Sequence, residues 1–320
     1  MNKTMKAAAI HQFGGIDRFQ IIDVAIPEID DDEILIRLDF AGLGSWDVFE
    51  REGGYAQMLG LLANFPYILG SEGAGTVARI GAAVKGFKEG DAVFGSGFLN
   101  PKGGFYAQYA AVSADLVNHR PEHLRPEQAA VVSGVGMTAL RGIEDVLHLN
   151  NDEAIAIVGA SGGIGHIAVQ IAQAKGARVF AIASGSDGAE MVRAQGVISV
   201  DGRSDDIIAE AVANGFHRFD AVLLTAHHPQ IDAFLKLYAK NARIAFPNGV
   251  FPEPTPPAGN TLLNYNADPD ADLMRRLAGL LEGGSLHPVV SKVYPLKDVA
   301  VAHEALRQHH VGKFVLAMDV

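Results

Sequence analysis

The stretch Ile155-Ala156-Ile157-Val158-Gly159-Ala160-Ser161-Gly162-Gly163-Ile164-Gly165 constrains this chain more than any other, because Ile167, Ala168, Ile171 and Ala172 follow it at helical spacing. It reads as a buried strand entering a glycine turn and then a helix. A second apolar strand, Arg178 to Ala183, comes directly behind, which is the context of a βαβ unit in a parallel sheet. Backbone N–H groups in the first turn of a helix lack partners within the helix, so such a turn binds an anion, here the pyrophosphate of a dinucleotide. Gly159 makes the tight turn, Gly162 lets the backbone approach the phosphates, and Gly165 lets the helix pack closely on the strand. Ser161, Gly163 and Ile164 complete the expected pyrophosphate contacts. The apolar run from Ala154 to Ala174 is long enough to suggest a membrane helix, but four glycines, His166 and Gln170 interrupt it, and strand plus helix explains it better.

The same alternation continues along the chain. Strands are expected at Ile198 to Val200, Asp220 to Leu224 and Arg243 to Phe246, separated by helices near Ala189 to Ala194, Ile207 to Ala213 and Ile231 to Tyr238. That pattern predicts a doubly wound parallel sheet covered on both faces. The first third is β-rich instead: Ile34, Ile36, Leu38 and Phe40 alternate with polar neighbours, and Gly73 to Ile80 and Gly104 to Val112 read as strands. From Pro121 the period becomes helical on either side of a Gly134-Val135-Gly136 interruption. Pro252-Glu253-Pro254-Thr255-Pro256-Pro257 is a loop, placed on the way back to the first domain, since proline lacks the donor a central strand or helix needs. The tail predicts a helix from Ala271 to Leu281, a strand at Val289 to Val293, a helix from Val299 to Arg307 and a strand at Phe314 to Ala317.

Composition narrows the function. With 48% hydrophobic residues over 320 positions the chain can bury a large core in two domains. A net charge of −11 argues against nucleic acid or an anionic membrane as partner, because either demands a basic face. There is no cysteine, so thiolate nucleophiles, disulfides and cysteine-held metals are excluded, and redox chemistry has to come from a cofactor. The first ten residues are too weakly apolar for a signal peptide, and a cytoplasmic protein is expected.

Several blocks in fixed order carry a family resemblance: Phe65-Pro66-Tyr67-Ile68-Leu69-Gly70-Ser71-Glu72-Gly73-Ala74-Gly75, Gly86-Phe87-Lys88-Glu89-Gly90-Asp91, Gly103-Gly104-Phe105-Tyr106-Ala107, Gly136-Met137-Thr138-Ala139, the glycine turn, and Gly312-Lys313-Phe314-Val315-Leu316. With them the chain resembles the medium-chain dehydrogenase/reductase superfamily, in its zinc-free quinone oxidoreductase (zeta-crystallin-like) branch. The resemblance implies a GroES-like β-barrel catalytic domain from residues 1–120 and 267–320, with a Rossmann nucleotide-binding domain, 121–266, inserted between. In zinc alcohol dehydrogenases of this superfamily a cysteine, a histidine and a second cysteine hold the catalytic metal. The matching positions here are Gly44, Ser71 and Gly134, which are poor zinc ligands, so no metal is expected.

The expected activity follows. Without a Lewis acid to hold an alkoxide, hydride transfer to a quinone or an α,β-unsaturated carbonyl is favoured over alcohol oxidation. Ser184 stands where an NAD-preferring site carries Asp or Glu, about twenty residues after the turn, so NADPH is the expected cofactor. The family usually offers a lysine near 188 and a tyrosine near 202; this chain has Gly188 and Gly202, with Asp187 adding negative charge and Arg203 as the nearest replacement cation. By resemblance Thr138, Phe246 and Asn248 line the nicotinamide end, and Trp46 and Phe49 form an apolar wall for a flat, hydrophobic, electrophilic substrate. No catalytic acid is identified; Tyr55, His227 and solvent remain as proton donors. His227 and His228 are otherwise polar loop residues. A homodimer joined near Leu262, Leu263 and Tyr265 is also implied. The alternative is an NADP(H)-binding sensor or structural protein with little turnover, motivated by the missing family residues.

Overall fold

The fold, obtained as a computed structural model, is described for residues 4–203, 206–226 and 229–318. A six-stranded, all-parallel sheet runs in the order Ile198–Asp201, Arg178–Ala183, Ala154–Val158, Ala221–Leu224, Arg243–Pro247, Leu262–Tyr265. The chain therefore winds outward one way from Ala154–Val158 and then reverses to its other side. A crevice forms at such a reversal, beyond the carboxyl end of the central strand, and there the glycine turn emerges. Side chains of this strand alternate between two cores. Ile155 and Ile157 meet Val169 and Ile171 on one face, whereas Ala156 and Val158 meet Phe180, Phe219 and Phe234 on the other.

The second unit is built from both ends of the chain. A seven-stranded sheet has the path Val290–Pro295, Lys313–Ala317, Glu33–Leu43, Glu72–Ile80, Ala92–Ser96, Val117–His119, with Tyr109–Ser113 also pairing with Glu33–Leu43. A smaller sheet joins Phe19–Ala25, Thr4–Ile10 and Tyr67–Ile68. Together they give the GroES-like domain beside a Rossmann domain.

Three expectations need correction. Gly104 to Val112 is not one strand: the regular strand begins at Tyr109, because the N–H groups of Gly104, Phe105 and Tyr106 turn aside to the carbonyls of Ile68, Gly70 and Leu69. Nor is Gly134-Val135-Gly136 an interruption. The helix Ser133–Leu140 runs through it, and a Cβ on Gly136 would lie 2.7 Å from Leu277, so this glycine allows a close helix crossing rather than a break. The proline loop does not return to the first domain either, since Leu262–Tyr265 after it still pairs with Arg243–Pro247.

Candidate functional site

The glycine turn has the shape a pyrophosphate needs. Gly159 has φ of 77°, a left-handed conformation favouring glycine, and Gly165 packs so tightly that a Cβ would lie 2.1 Å from the Gly159 carbonyl oxygen. Gly162 differs: an added Cβ meets only the Gly159 oxygen, at 3.4 Å, so the fold leaves its outer side open. It caps the helix Gly163–Ala174. These residues fit a dinucleotide phosphate by open space and by outward N–H groups together.

The turn is braced from the other domain. The Gly312 N–H donates to the Ser161 carbonyl at 2.8 Å, and the stem of Lys313 lies against Gly163. His166 completes the brace. Its Nε2 accepts from the Val289 N–H at 3.1 Å, so Nδ1 carries the proton and donates to the Gly162 carbonyl at 2.8 Å. Burial holds this imidazole neutral, with its pKa down at about 4.

At the end of Arg178–Ala183, Ser184 and Arg203 come together around Asp201, whose Oδ1 accepts the N–H groups of Gly185 (2.8 Å) and Arg203 (2.9 Å). The Arg203 side chain is exposed, and the Ser184 N–H is held by Ser161 Oγ at 3.1 Å. Gly188 is buried on Ser161, where an added Cβ would lie 2.8 Å from the serine side chain. The absent family lysine is thus a steric fact. Asp187 is answered by His309, from the returning tail, at 2.9 Å.

Trp46 dominates the cleft side. Its Nε1 donates to Ser71 Oγ at 2.8 Å, a Cβ on Gly44 would lie 2.3 Å from its ring, and one on Gly134 would lie 3.6 Å from it. The indole therefore fills the space that the three family zinc-ligand positions surround. Lys313 Nζ lies 4.2 Å from the ring centre and 2.9 Å from Glu72 Oε1, and Glu72 Oε2 accepts the Gly134 N–H at 2.7 Å. An ammonium and an aromatic ring occupy this place; the residues do not fit zinc.

Beneath the helix Ser45–Arg51 runs a buried polar chain that the sequence reading missed. Asp47 Oδ2 accepts from the Gly44 N–H (2.7 Å) and the Tyr106 hydroxyl (2.8 Å), and His303 Nε2 lies 3.2 Å from that hydroxyl. Arg51, which can only donate, lies 3.1 Å from His303 Nδ1, so the neutral ring keeps its proton on Nε2 and donates to Tyr106. Burial, with the Arg51 charge second, pushes the His303 pKa down to about 3; burial pushes Asp47 up to about 7 and Glu50 up to about 8. Tyr55 is pushed up to about 12 by burial and the nearby carboxyls, so its phenol stays protonated. The only sequence signal for this chain was the acidic spacing Asp47, Glu50 on one helix face.

Thr138 sits on Ser133–Leu140, its hydroxyl donating to the Gly134 carbonyl at 2.8 Å and its own carbonyl accepting from Tyr265 at 3.1 Å. Asn248 lies at the carboxyl end of the sheet in an amide cluster with Asn264 and Asn266. Phe246 ends the strand Arg243–Pro247 with its ring buried among Phe234 and Ile244. Phe49, on the same helix as Trp46, is 44% exposed. His227 and His228 fall outside the described residues. Among the described residues no group of three His, Cys, Asp or Glu is arranged to hold a metal.

Comparison with known proteins places this geometry. Residues 30–122 match the alcohol dehydrogenase GroES-like domain family and residues 193–316 the zinc-binding dehydrogenase family. The quinone oxidoreductase of Sus scrofa is 30% identical over 333 residues, covering 99% of this chain and 98% of the relative. The chloroplastic NADPH-dependent alkenal/one oxidoreductase of Arabidopsis thaliana is 28% identical over 326 residues, 98% of this chain and 80% of the relative. Among solved structures, the quinone oxidoreductase from Coxiella burnetii superposes with a TM-score of 0.82 at 25% identity, covering 99% of this chain and 100% of that one.

Proposed function

Because the chain belongs to the medium-chain dehydrogenase/reductase superfamily, in its quinone oxidoreductase branch, and is an oxidoreductase, we propose that it is a zinc-independent, NADPH-dependent reductase of quinones or α,β-unsaturated carbonyls. The observation that carries this reading is Trp46. Its ring fills the place of the family metal while the phosphate turn beside it stays open, so dinucleotide chemistry is kept and Lewis-acid chemistry is given up.

NADPH, when bound, supplies the hydride. Gly159, Ser161, Gly162, Gly163, Ile164 and Gly165 hold the pyrophosphate; Ser184 and Arg203 face the ribose 2′-phosphate, with Asp187 held by a hydrogen bond to His309. Thr138, Phe246 and Asn248 line the nicotinamide end. Trp46 and Phe49 offer a flat apolar acceptor one wall of the cleft and exclude water from it. Tyr55 or a water delivers the proton. Assembly as a homodimer is part of the reading, because the edge strand Leu262–Tyr265 has a neighbour on one side only. So are a cytoplasmic location and domain limits near residues 120 and 266. Among the described residues no helix is long and apolar enough to cross a membrane.

Stopped-flow oxidation of NADPH, with and without a panel of quinones and enones, tests the reading. Acceptor-dependent oxidation that survives dialysis against a strong chelator is expected. Tight NADPH binding with no oxidation by any acceptor would replace it with a carrier or sensor role, and zinc-dependent alcohol oxidation would overturn it.

A further inference from the structure

Large apolar side chains are spread unevenly over the surface. Phe49, Met58, Leu59, Leu61, Leu62 and Phe65 are all exposed and lie in one stretch, through the short helix Gly54–Leu59 toward the strand Tyr67–Ile68. Leu62 is 96% exposed. A concentration of this kind marks a binding face rather than ordinary surface scatter. Part of the stretch walls a hollow of about 290 Å³ whose apolar lining includes Phe13, Tyr55, Leu61, Leu62 and Pro66.

The main polar groups around the hollow make their bonds within the protein. Lys102 is held by Asp30 at 2.7 Å and by Glu33 at 2.6 Å. Asn100 donates to the Ala111 carbonyl at 2.7 Å and accepts from the Lys102 N–H at 3.0 Å. Glu50 accepts the Tyr67 hydroxyl at 2.6 Å through one oxygen, while its other oxygen is buried without a hydrogen-bond partner. The lysine charge is thus already paired and burial holds the Glu50 carboxyl neutral, with its pKa up at about 8, so the wall formed by Phe13, Leu61, Leu62 and Pro66 offers an occupant hydrocarbon.

Aromatic contacts link the hollow to the helix that carries Trp46. Tyr55 walls the hollow and meets Phe49 edge-on at 4.9 Å and Phe98 at 5.0 Å. Phe49 lies one turn from Trp46 on the same helix, about 5 Å along its axis.

We infer that the hollow is a tail subsite: the acceptor is lipophilic, its conjugated head lying at Trp46 and Phe49 and a hydrocarbon chain running past Tyr55 onto Leu61 and Leu62. This rests on the reductase reading above and names its substrate class. A lipid surface is the weaker occupant, since an anionic bilayer would repel a chain of net charge −11.

The test is a chain-length series of 2-alkylbenzoquinones and 2-alkenals, with kcat/KM measured for the wild type, Leu61→Asp and Leu62→Asp. Both leucines are exposed, so neither substitution removes core packing. In the wild type each added methylene is expected to raise kcat/KM about two- to fourfold until the hollow is filled. In Leu61→Asp the dependence should largely vanish while the shortest acceptors are turned over as before. Chain-length-independent kinetics, or a dependence untouched in both variants, would overturn the subsite. So would variants that only shift the oligomeric state in light scattering, or only abolish binding to phosphatidylcholine vesicles; these would give the face to a second copy or a bilayer. If no acceptor is reduced at all, the reductase reading fails separately. Quenching of the single tryptophan by long-chain alkylquinones then decides: saturable quenching that strengthens with chain length and is lost in Leu61→Asp keeps the subsite, and its absence removes it.

Discussion

Lys313 Nζ lies 2.9 Å from Glu72 Oε1, with both side chains buried, and the two residues sit on strands that flank Glu33–Leu43 from opposite sides. The ion pair spans the end of that strand and carries the lysine stem over the phosphate turn at Gly163. Removing one member leaves the other charge buried without a counterion, which costs far more than the pair itself is worth.

Lys313→Met is therefore predicted to destabilise the fold by about 3–5 kcal/mol, and adding Glu72→Gln to restore much of the loss. Urea unfolding of the two single variants and the double variant measures this. Additive losses would show that the charges are not coupled.

Two glycines of the turn should separate binding from folding. Gly162 has open space outside it, so Gly162→Val should cut NADPH affinity by about tenfold or more with little change in melting temperature. A Cβ on Gly165 would press on the Gly159 carbonyl, and Gly165→Ala should lower stability by about 1–3 kcal/mol or more. Fluorescence titration and thermal melts on both variants check the contrast. Normal NADPH binding by the valine variant would move the cofactor elsewhere.

Cofactor choice should turn on Ser184. Ser184→Asp is predicted to reverse the preference toward NADH, because a carboxylate accepts the 2′-hydroxyl and repels the 2′-phosphate. Gly188→Lys, which would imitate the family residue, should weaken binding of both cofactors, since its Cβ would displace Ser161. Dissociation constants for NADPH and NADH against each variant test the pair. Wild-type constants that are equal or favour NADH would reject the preference.

The buried chain under Ser45–Arg51 sets a pH dependence. Asp47 and Glu50 have folded pKa values raised to about 7 and about 8, so the native state binds more protons than the unfolded chain and loses stability as pH rises through those values. His303 and His166 act in the opposite sense: lowered to about 3 and about 4, they make stability fall as pH drops below the ordinary histidine range. The effects compete in mild acid, and above about pH 6.5 the carboxyls act alone. Asp47→Asn, a neutral isostere, should flatten the decline between about pH 6.5 and 8 in urea unfolding. An undiminished decline would place the ionisation elsewhere.

What the sequence disclosed was local. The turn at Gly159 to Gly165, the strands around it and the helix at Ala271–Glu282 are written in short-range periodicity, which survives without tertiary information. Lys313 beside Glu72, and His303 beside Tyr106, are partners only once the two chain ends close into one sheet, and no spacing announces them. Gly136 misled because a glycine that admits Leu277 reads like one that ends a helix.

The closing strand Lys313–Ala317 lies inside its sheet, between Val290–Pro295 and Glu33–Leu43, so Leu43 cannot find Phe314 until nearly the whole chain has been made. During synthesis Tyr109–Ser113 can cover the Glu33–Arg37 half of that side, but the Phe40–Leu43 end stays bare while the six-stranded domain emerges and folds. That inserted domain, once compact, shortens the loop the two ends must close and lowers its entropic cost. Until then that bare end can pair with the same segment of another nascent chain, and the half-made molecule is most exposed to aggregation there.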